Sequence, residues 1–89
     1  MMLKVTCAII RNEDNEVLTV QRDGNTDHPF KWEFPGGKVK AGESEEECII
    51  REIGEELMMD IVICSRMEAV DYDYGKKHIL LIPFDCDTL

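Results

Sequence analysis

The sequence predicts an α/β domain of the α+β kind, a mixed β-sheet with one long helix packed on it. Three observations predict it. Short β-branched, apolar runs lie on both sides of a single amphipathic segment. That segment opens with a helix-capping pattern, and clusters of turn residues separate the rest. Strands, one helix and more strand make a mixed sheet the simplest packing. Eighty-nine residues allow one domain, residues 1–89.

Leu3 to Ile10 is rich in β-branched residues and reads as a buried strand. Arg11 to Glu16 is a polar turn, and Val17 to Arg22 alternates as the returning strand of a hairpin. Residues 23–29 are dense in turn formers and predict an exposed loop. Lys31 to Phe34 is a short extended piece, ended by Pro35-Gly36-Gly37. Ser44 followed by Glu47 is a capping box, and Glu45, Glu46 and Glu47 fill the first turn, where the helix dipole favours negative charge. Ile49, Ile53 and Leu57, with Ile50, form an apolar stripe, so a helix is expected from about Glu45 to about Met58. Ile61–Cys64 and Glu68–Tyr72 read as extended, Asp73–Lys76 as a turn, and His78–Phe84 as an apolar strand.

Ten basic residues against nineteen acidic give a net charge of −9. Such a chain repels polymeric nucleic acid and anionic membranes. No run approaches the roughly 18 apolar residues of a membrane span, and Met1 to Cys7 lacks the regions of a secretory signal. Cys7, Cys48, Cys64 and Cys86 form no CxxC pair, which argues against zinc and gives no support to a disulfide framework. A reduced, cytoplasmic location is the expectation.

The acid is concentrated. Seven carboxylates and one base lie between Glu43 and Glu56. With Glu52 as zero on a helical wheel, Glu56 falls at about +40° and Glu55 at about −60°. These three glutamates share one face, about 115° from the apolar stripe, and Arg51 lies within easy reach of Glu55. Like charges at this spacing cost a few tenths of a kcal/mol. A solvated face is the commoner reason for such a pattern; a hard divalent cation such as Mg²⁺ or Mn²⁺, which prefers oxygen ligands, is the other. Upstream, Pro35 to Gly42 supplies three glycines that let backbone approach a ligand, and Lys38 or Lys40 could meet a phosphate.

Singly, each feature has a plainer explanation: a Gly-Gly turn, a surface arginine at Arg22, sheet aromatics at Trp32, Phe34, Tyr72 and Tyr74, structural histidines at His28 and His78. Together they do not. From Gly37 the chain runs Gly, five residues, Glu43, seven residues, Arg51-Glu52-Ile53, one residue, Glu55-Glu56, one residue, Met58-Met59. This resembles the Nudix box, with six identities and two apolar matches over 23 residues. Only its final glycine differs, being Met58. Trp32-Glu33-Phe34-Pro35-Gly36-Gly37-Lys38 is similar to the lead-in of MutT-type nucleotide pyrophosphohydrolases. Ala8 to Asn12, Arg22, and Tyr72 to Ile79 resemble their strands more loosely.

The resemblance implies metal ligation by Glu52, Glu55 and Glu56 with the Gly36 carbonyl, supported by Glu43. It implies that Arg51 orients a box glutamate, that Glu52 is a candidate general base (some relatives take the base from a region beyond this stretch), and that Arg22, Phe34 and Lys38 meet the nucleotide. The implied reaction is metal-dependent water attack on phosphorus in a nucleoside diphosphate linked to a further group, with an oxidised guanine nucleotide such as 8-oxo-dGTP as one substrate and a role in DNA repair. Two departures bear on this. Met58 replaces a left-handed glycine, so the helix is expected to run on towards Asp60. The family domain also continues through a second long C-terminal helix, so residues 1–89 are expected to be C-terminally short. Apolar sheet would then lie exposed at Ile79–Phe84, with homo-oligomerisation or poor stability as the consequence. The alternatives to catalysis are an inactive nucleotide- or metal-binding module and an oligomerising fragment.

Overall fold

The computed structural model describes residues 2–22, 24, 31–73, 75 and 77–89. Among the described residues, seven strands and one helix follow in the order β1 (Met2–Ile10), β2 (Val20–Gln21), β3 (Trp32–Glu33), β4 (Gly36–Lys38), α1 (Glu45–Leu57), β5 (Ile61–Arg66), β6 (Val70–Asp73) and β7 (His78–Thr88). The fold is α+β, with a five-stranded mixed sheet in the order β4-β1-β7-β5, β6 also pairing with β7. β2 and β3 form a separate antiparallel pair.

The two longest strands, β1 and β7, pair in parallel from Met2↔His78 to Ile10↔Cys86 and make the spine of the sheet. Pro83 sits inside β7, where a missing N–H would normally break the ladder. It is tolerated because the partner on that side changes there: β5 ends with Arg66 opposite Phe84 and β6 begins with Val70 opposite Leu81. The Pro83 carbonyl takes the Met67 N–H of the intervening connection. The sequence ended this strand at Phe84. It continues to Thr88 because Phe84 and Cys86 alternate inward between Asp85 and Asp87, the period of a strand with one covered face.

The expected exposure at Ile79–Phe84 is not found. β7 is central rather than an edge; Ile82, Pro83 and Phe84 are buried, and Ile79 to Leu81 are half-buried. The hairpin after β1 also differs from the expectation. Its turn closes with Arg11 bridging Val17 and the Asn12 carboxamide accepting from the Asp14 and Glu16 amides. The returning chain then leaves β1 and pairs with β3, while β4 takes its place beside β1. The Gly36-Gly37 segment, read as loop, is therefore a strand. The predicted loop over 23–29 lies largely outside the described residues, as do Tyr74 and Lys76 of the predicted turn over 73–76.

The helix starts as expected. Ser44 accepts the Glu47 amide at 3.0 Å and Glu47 accepts the Ser44 amide at 2.9 Å. Glu45 ties this end to β1 and β5 through Lys4 and Arg66. The other end differs: α1 stops at Leu57, and Met58 itself takes the left-handed conformation (φ 52°, ψ 39°), donating its amide to the Gly54 carbonyl. The side chain is 93% exposed, so the Cβ penalty stands alone, without a packing clash.

The buried side of α1 is displaced from the predicted stripe. Ile49 and Ile53 are fully buried against Ala8, Ile10, Ile61, Ile82, Phe84 and Cys86, but Ile50 is half exposed and Cys48 is fully buried in its place. On the wheel, Ile50 lies about 60° to one side of Ile53 and Cys48 about 140° to the other, with Glu52 between Ile49 and Cys48. The helix leans over the β1–β4 edge, and this brings its carboxylates into the interface with the glycine strand. All four cysteines are free thiols. Among the described residues no helix is long and apolar enough to cross a membrane.

Candidate metal and nucleotide site

Two glycines let β4 pack closely on both neighbours, Gly36 on β1 and Gly37 on α1. A Cβ on Gly36 would lie 2.0 Å from the Thr6 carbonyl oxygen, and one on Gly37 would lie 2.3 Å from the Glu52 carboxyl carbon. The Glu52 carboxylate therefore rests in the space that any larger residue at Gly37 would fill. Gly42, with φ 79°, turns the chain from β4 towards the helix, and Glu43 closes that turn by accepting the Lys40 amide at 3.0 Å.

Arg51 organises the acidic face. It donates through Nε to Glu43 at 2.6 Å and through Nη2 to the same carboxylate at 3.0 Å, a bidentate pair. Its Nη1 reaches Glu52 at 2.9 Å and Glu55 at 2.7 Å, and Nη2 also donates to the Lys38 carbonyl. The predicted contact to Glu55 is present, but it is one of three. Glu43 and Glu52 are mostly buried while Glu55 is over half exposed.

The electrostatic results diverge. The Arg51 hydrogen bond, then the Lys40 amide, holds the Glu43 carboxyl down at about 2, and Glu43 in turn raises Arg51 further. Glu56 goes the other way, pushed up to about 7. Its side chain is exposed overall, yet its carboxyl loses hydration, shares a hydrogen bond with Glu52 and feels the charges of Glu52, Glu33 and Glu55. Among the described residues no three carboxylate, thiol or imidazole groups converge as a ready-made cage. Glu52, Glu55 and Glu56 do share one face, with Glu52 and Glu55 turned onto Arg51. The donor set still fits a hard divalent ion: oxygen ligands only, mutual repulsion held in place, and a cradle at Gly37 that keeps Glu52 fixed.

On the opposite face of the sheet a cleft of about 580 Å³ runs up to the same glycines. Its floor is Val5 and Cys7 of β1 with Ile79 and Leu81 of β7, and its wall is the β2–β3 pair. Arg22, Phe34 and Lys38, three residues expected to meet the nucleotide, all line it, together with Gly36. Arg22 pairs with Glu33 at 3.3 Å, and the charge of Glu33 also acts on Glu56 of the helix. Sequence reading assigned Trp32 to the sheet; it is 66% exposed and lines the cleft on the same side of β3 as Phe34. Their i, i+2 spacing on a short strand was the available signal. Ile79 and Leu81 carried none, because an apolar strand does not reveal which face is covered. His78 pairs with Asp71 at the far end, away from the site.

A helix packed on a mixed sheet in this arrangement matches solved Nudix folds. The solved MutT protein from Methanosarcina mazei Go1 superposes with a TM-score of 0.86 at 34% identity, over 94% of this chain and 62% of that one. Residues 1–88 match the NUDIX domain model, and the chain belongs to the Nudix family, whose hydrolases generally use divalent metal ions. Among curated relatives it is 37% identical over 79 residues to the 8-oxo-dGTP diphosphatase of Escherichia coli K12, covering 89% of this chain and 61% of that protein. It is also 39% identical over 62 residues to the CTP pyrophosphohydrolase of the same organism, covering 70% of this chain and 45% of that protein. The chain thus spans less than two thirds of the length of these relatives.

Proposed function

We propose that this chain carries the metal-binding and phosphate-cleaving part of a nucleoside triphosphate pyrophosphohydrolase dependent on Mg²⁺ or Mn²⁺. The observation that carries the proposal is the junction at Gly36-Gly37, where the carboxylate face of α1 meets the aromatic cleft. A nucleotide lying across it has its base between Trp32, Phe34 and the apolar floor, and its phosphates towards Arg22 and Lys38. Glu52, Glu55, Glu56 and the Gly36 carbonyl would hold the metal. When bound, it supplies charge stabilisation on the diphosphate and an acidified water.

Within this reading, Arg51 and Glu43 hold the glutamates in register, and Glu52 is the candidate base that takes the water proton. Water oxygen bonds to phosphorus as the phosphoanhydride bond breaks, releasing pyrophosphate and a nucleoside monophosphate. The E. coli relative's name supports an oxidised guanine nucleotide such as 8-oxo-dGTP as the first substrate to test, and a nucleotide-pool role allied to DNA repair. CTP is the second, on the other relative's name.

An inactive binding module is the competing reading, favoured by Arg51 closing on both Glu52 and Glu55. Pyrophosphate release from a nucleotide panel with Mg²⁺ separates the two. Turnover by the native chain, lost in Glu55→Gln, supports hydrolysis; equal and negligible signals from both overturn it.

A further inference from the structure

Thr6 is the one buried polar side chain among the described residues, 1% exposed, on the helix-facing side of β1. A buried hydroxyl costs free energy unless it is hydrogen-bonded, so its partners show what it contributes. Its Oγ1 donates to the Gly37 carbonyl at 3.2 Å and lies 3.2 Å from the Cys48 sulfur. Cys48, fully buried on α1, places Sγ 3.6 Å from the Gly37 carbonyl and 3.4 Å from the Lys38 carbonyl. Arg51 Nη2 adds a contact at 3.8 Å to the same sulfur. With the Thr6 proton spent on Gly37, the single thiol proton is shared among Thr6 Oγ1 and the two strand carbonyls.

We propose that Thr6 and Cys48 form a buried latch that fixes the glycine strand β4 against Glu52, making both of them positioning residues for the metal site. Gly36 and Gly37 have no side chains of their own to hold them, and glycine loses the most backbone freedom on ordering. The strand is pinned before the pair by the Ala8 amide on the Pro35 carbonyl at 2.8 Å. After the pair, the Val39 amide on the Lys4 carbonyl at 3.0 Å holds the backbone, and the side-chain restraints on the Gly37 and Lys38 carbonyls come from Thr6, Cys48 and Arg51. Arg51 also serves three carboxylates, so it shifts whenever they do. Thr6 makes its side-chain contacts with Gly37 and Cys48 alone, whereas Cys48 also meets Glu43 and Arg51, so the latch joins the glycine strand to the edge of the arginine clamp. The Gly37 backbone bounds the cradle in which Glu52 sits, so loosening it widens the distribution of Glu52 positions.

The functional consequence rests on the hydrolase reading above, whereas the latch itself does not. The test therefore uses two readouts on the full chain: amide hydrogen exchange without metal at Gly37 and Val39, whose N–H groups face β1, and binding of Mn²⁺ alone by electron paramagnetic resonance. The native chain is compared with Thr6→Ser, Thr6→Val, Cys48→Ala and the double variant Thr6→Val/Cys48→Ala. Exchange at these two amides should rise about tenfold in the double variant relative to β5 amides, the equivalent of one or two net hydrogen bonds. Mn²⁺ affinity should fall by a similar factor, each single variant should give part of the effect, and Thr6→Ser should stay within twofold of native. Unchanged local exchange in the double variant, or a rise shared equally by β5, overturns the latch. Faster local exchange with Mn²⁺ affinity within twofold of native overturns its role in positioning the metal site. Absence of Mn²⁺ binding in the native chain sinks the hydrolase reading, and with it the positioning role, while the exchange comparison still decides the latch.

Discussion

Glu43 and Glu56 are the same side chain at the two ends of one segment, and they sit in opposite electrostatic situations. Glu43 is enclosed by a bidentate arginine and a backbone amide and is held at about 2. Glu56 is not among the carboxylates that arginine holds; it lies next to Glu52, facing the charge of Glu33, and is pushed up to about 7. One guanidinium is shared among Glu43, Glu52 and Glu55, and its best geometry goes to Glu43. The difference separates a finished structural clamp from a group of carboxylates with a positive charge still to be supplied.

Neutralising a member of the second group should have the largest effect. Glu52→Gln, which preserves shape, should lower nucleotide turnover by roughly a thousandfold, because a metal site supplies several kcal/mol of charge stabilisation. Steady-state rates with Mg²⁺, alongside circular dichroism to show an unchanged fold, check it. The next largest effect concerns the clamp. Arg51→Lys keeps the charge but loses the fork; the thermal midpoint should fall, and a carbon-detected titration should find Glu43 back up towards its ordinary 4.5.

The two groups should also respond to pH with opposite signs. Glu43 is lowered, so its contribution to stability is present above about 4.5 and is lost as pH falls towards about 2. Glu56 is raised, so its contribution is present below about 4.5 and is lost as pH rises through about 7. Metal-free melting curves should therefore be poorest at both ends of that range, and Mg²⁺ should restore stability mainly at the upper end. A melting temperature that keeps rising from pH 5 to pH 8 without metal would contradict the Glu56 assignment. The smallest effect lies outside both groups: Met58→Gly should stabilise the chain by about 1 kcal/mol by removing a left-handed Cβ, with turnover unchanged. Denaturant melts compared with native measure it.

Much of this was legible in the sequence because it depends on local rules. The capping box located the start of α1, and the i, i+3, i+4 spacing put three glutamates on one face. Where tertiary packing decided, sequence reading missed. Gly36 and Gly37 look like loop residues, and only the close approach of β1 makes them a strand. Cys48 lies far round the wheel from the apolar stripe, yet is buried because the helix leans over β4. The cleft floor of Cys7, Ile79 and Leu81 was hidden for a similar reason, since the β2–β3 pair walls that side of the sheet. Met58 shows the reverse case: the left-handed turn persists without the glycine that usually makes it cheap.

The most direct test of the central claim is titration of the metal-free chain with Mg²⁺ while the glutamate carboxyl carbons are followed by NMR. Saturable shifts are expected at Glu52, Glu55 and Glu56, with little change at Glu43 and loss of the response in Glu52→Gln. Shifts confined to bulk acidic residues, equal in native and Glu52→Gln, would mean that this face is merely solvated.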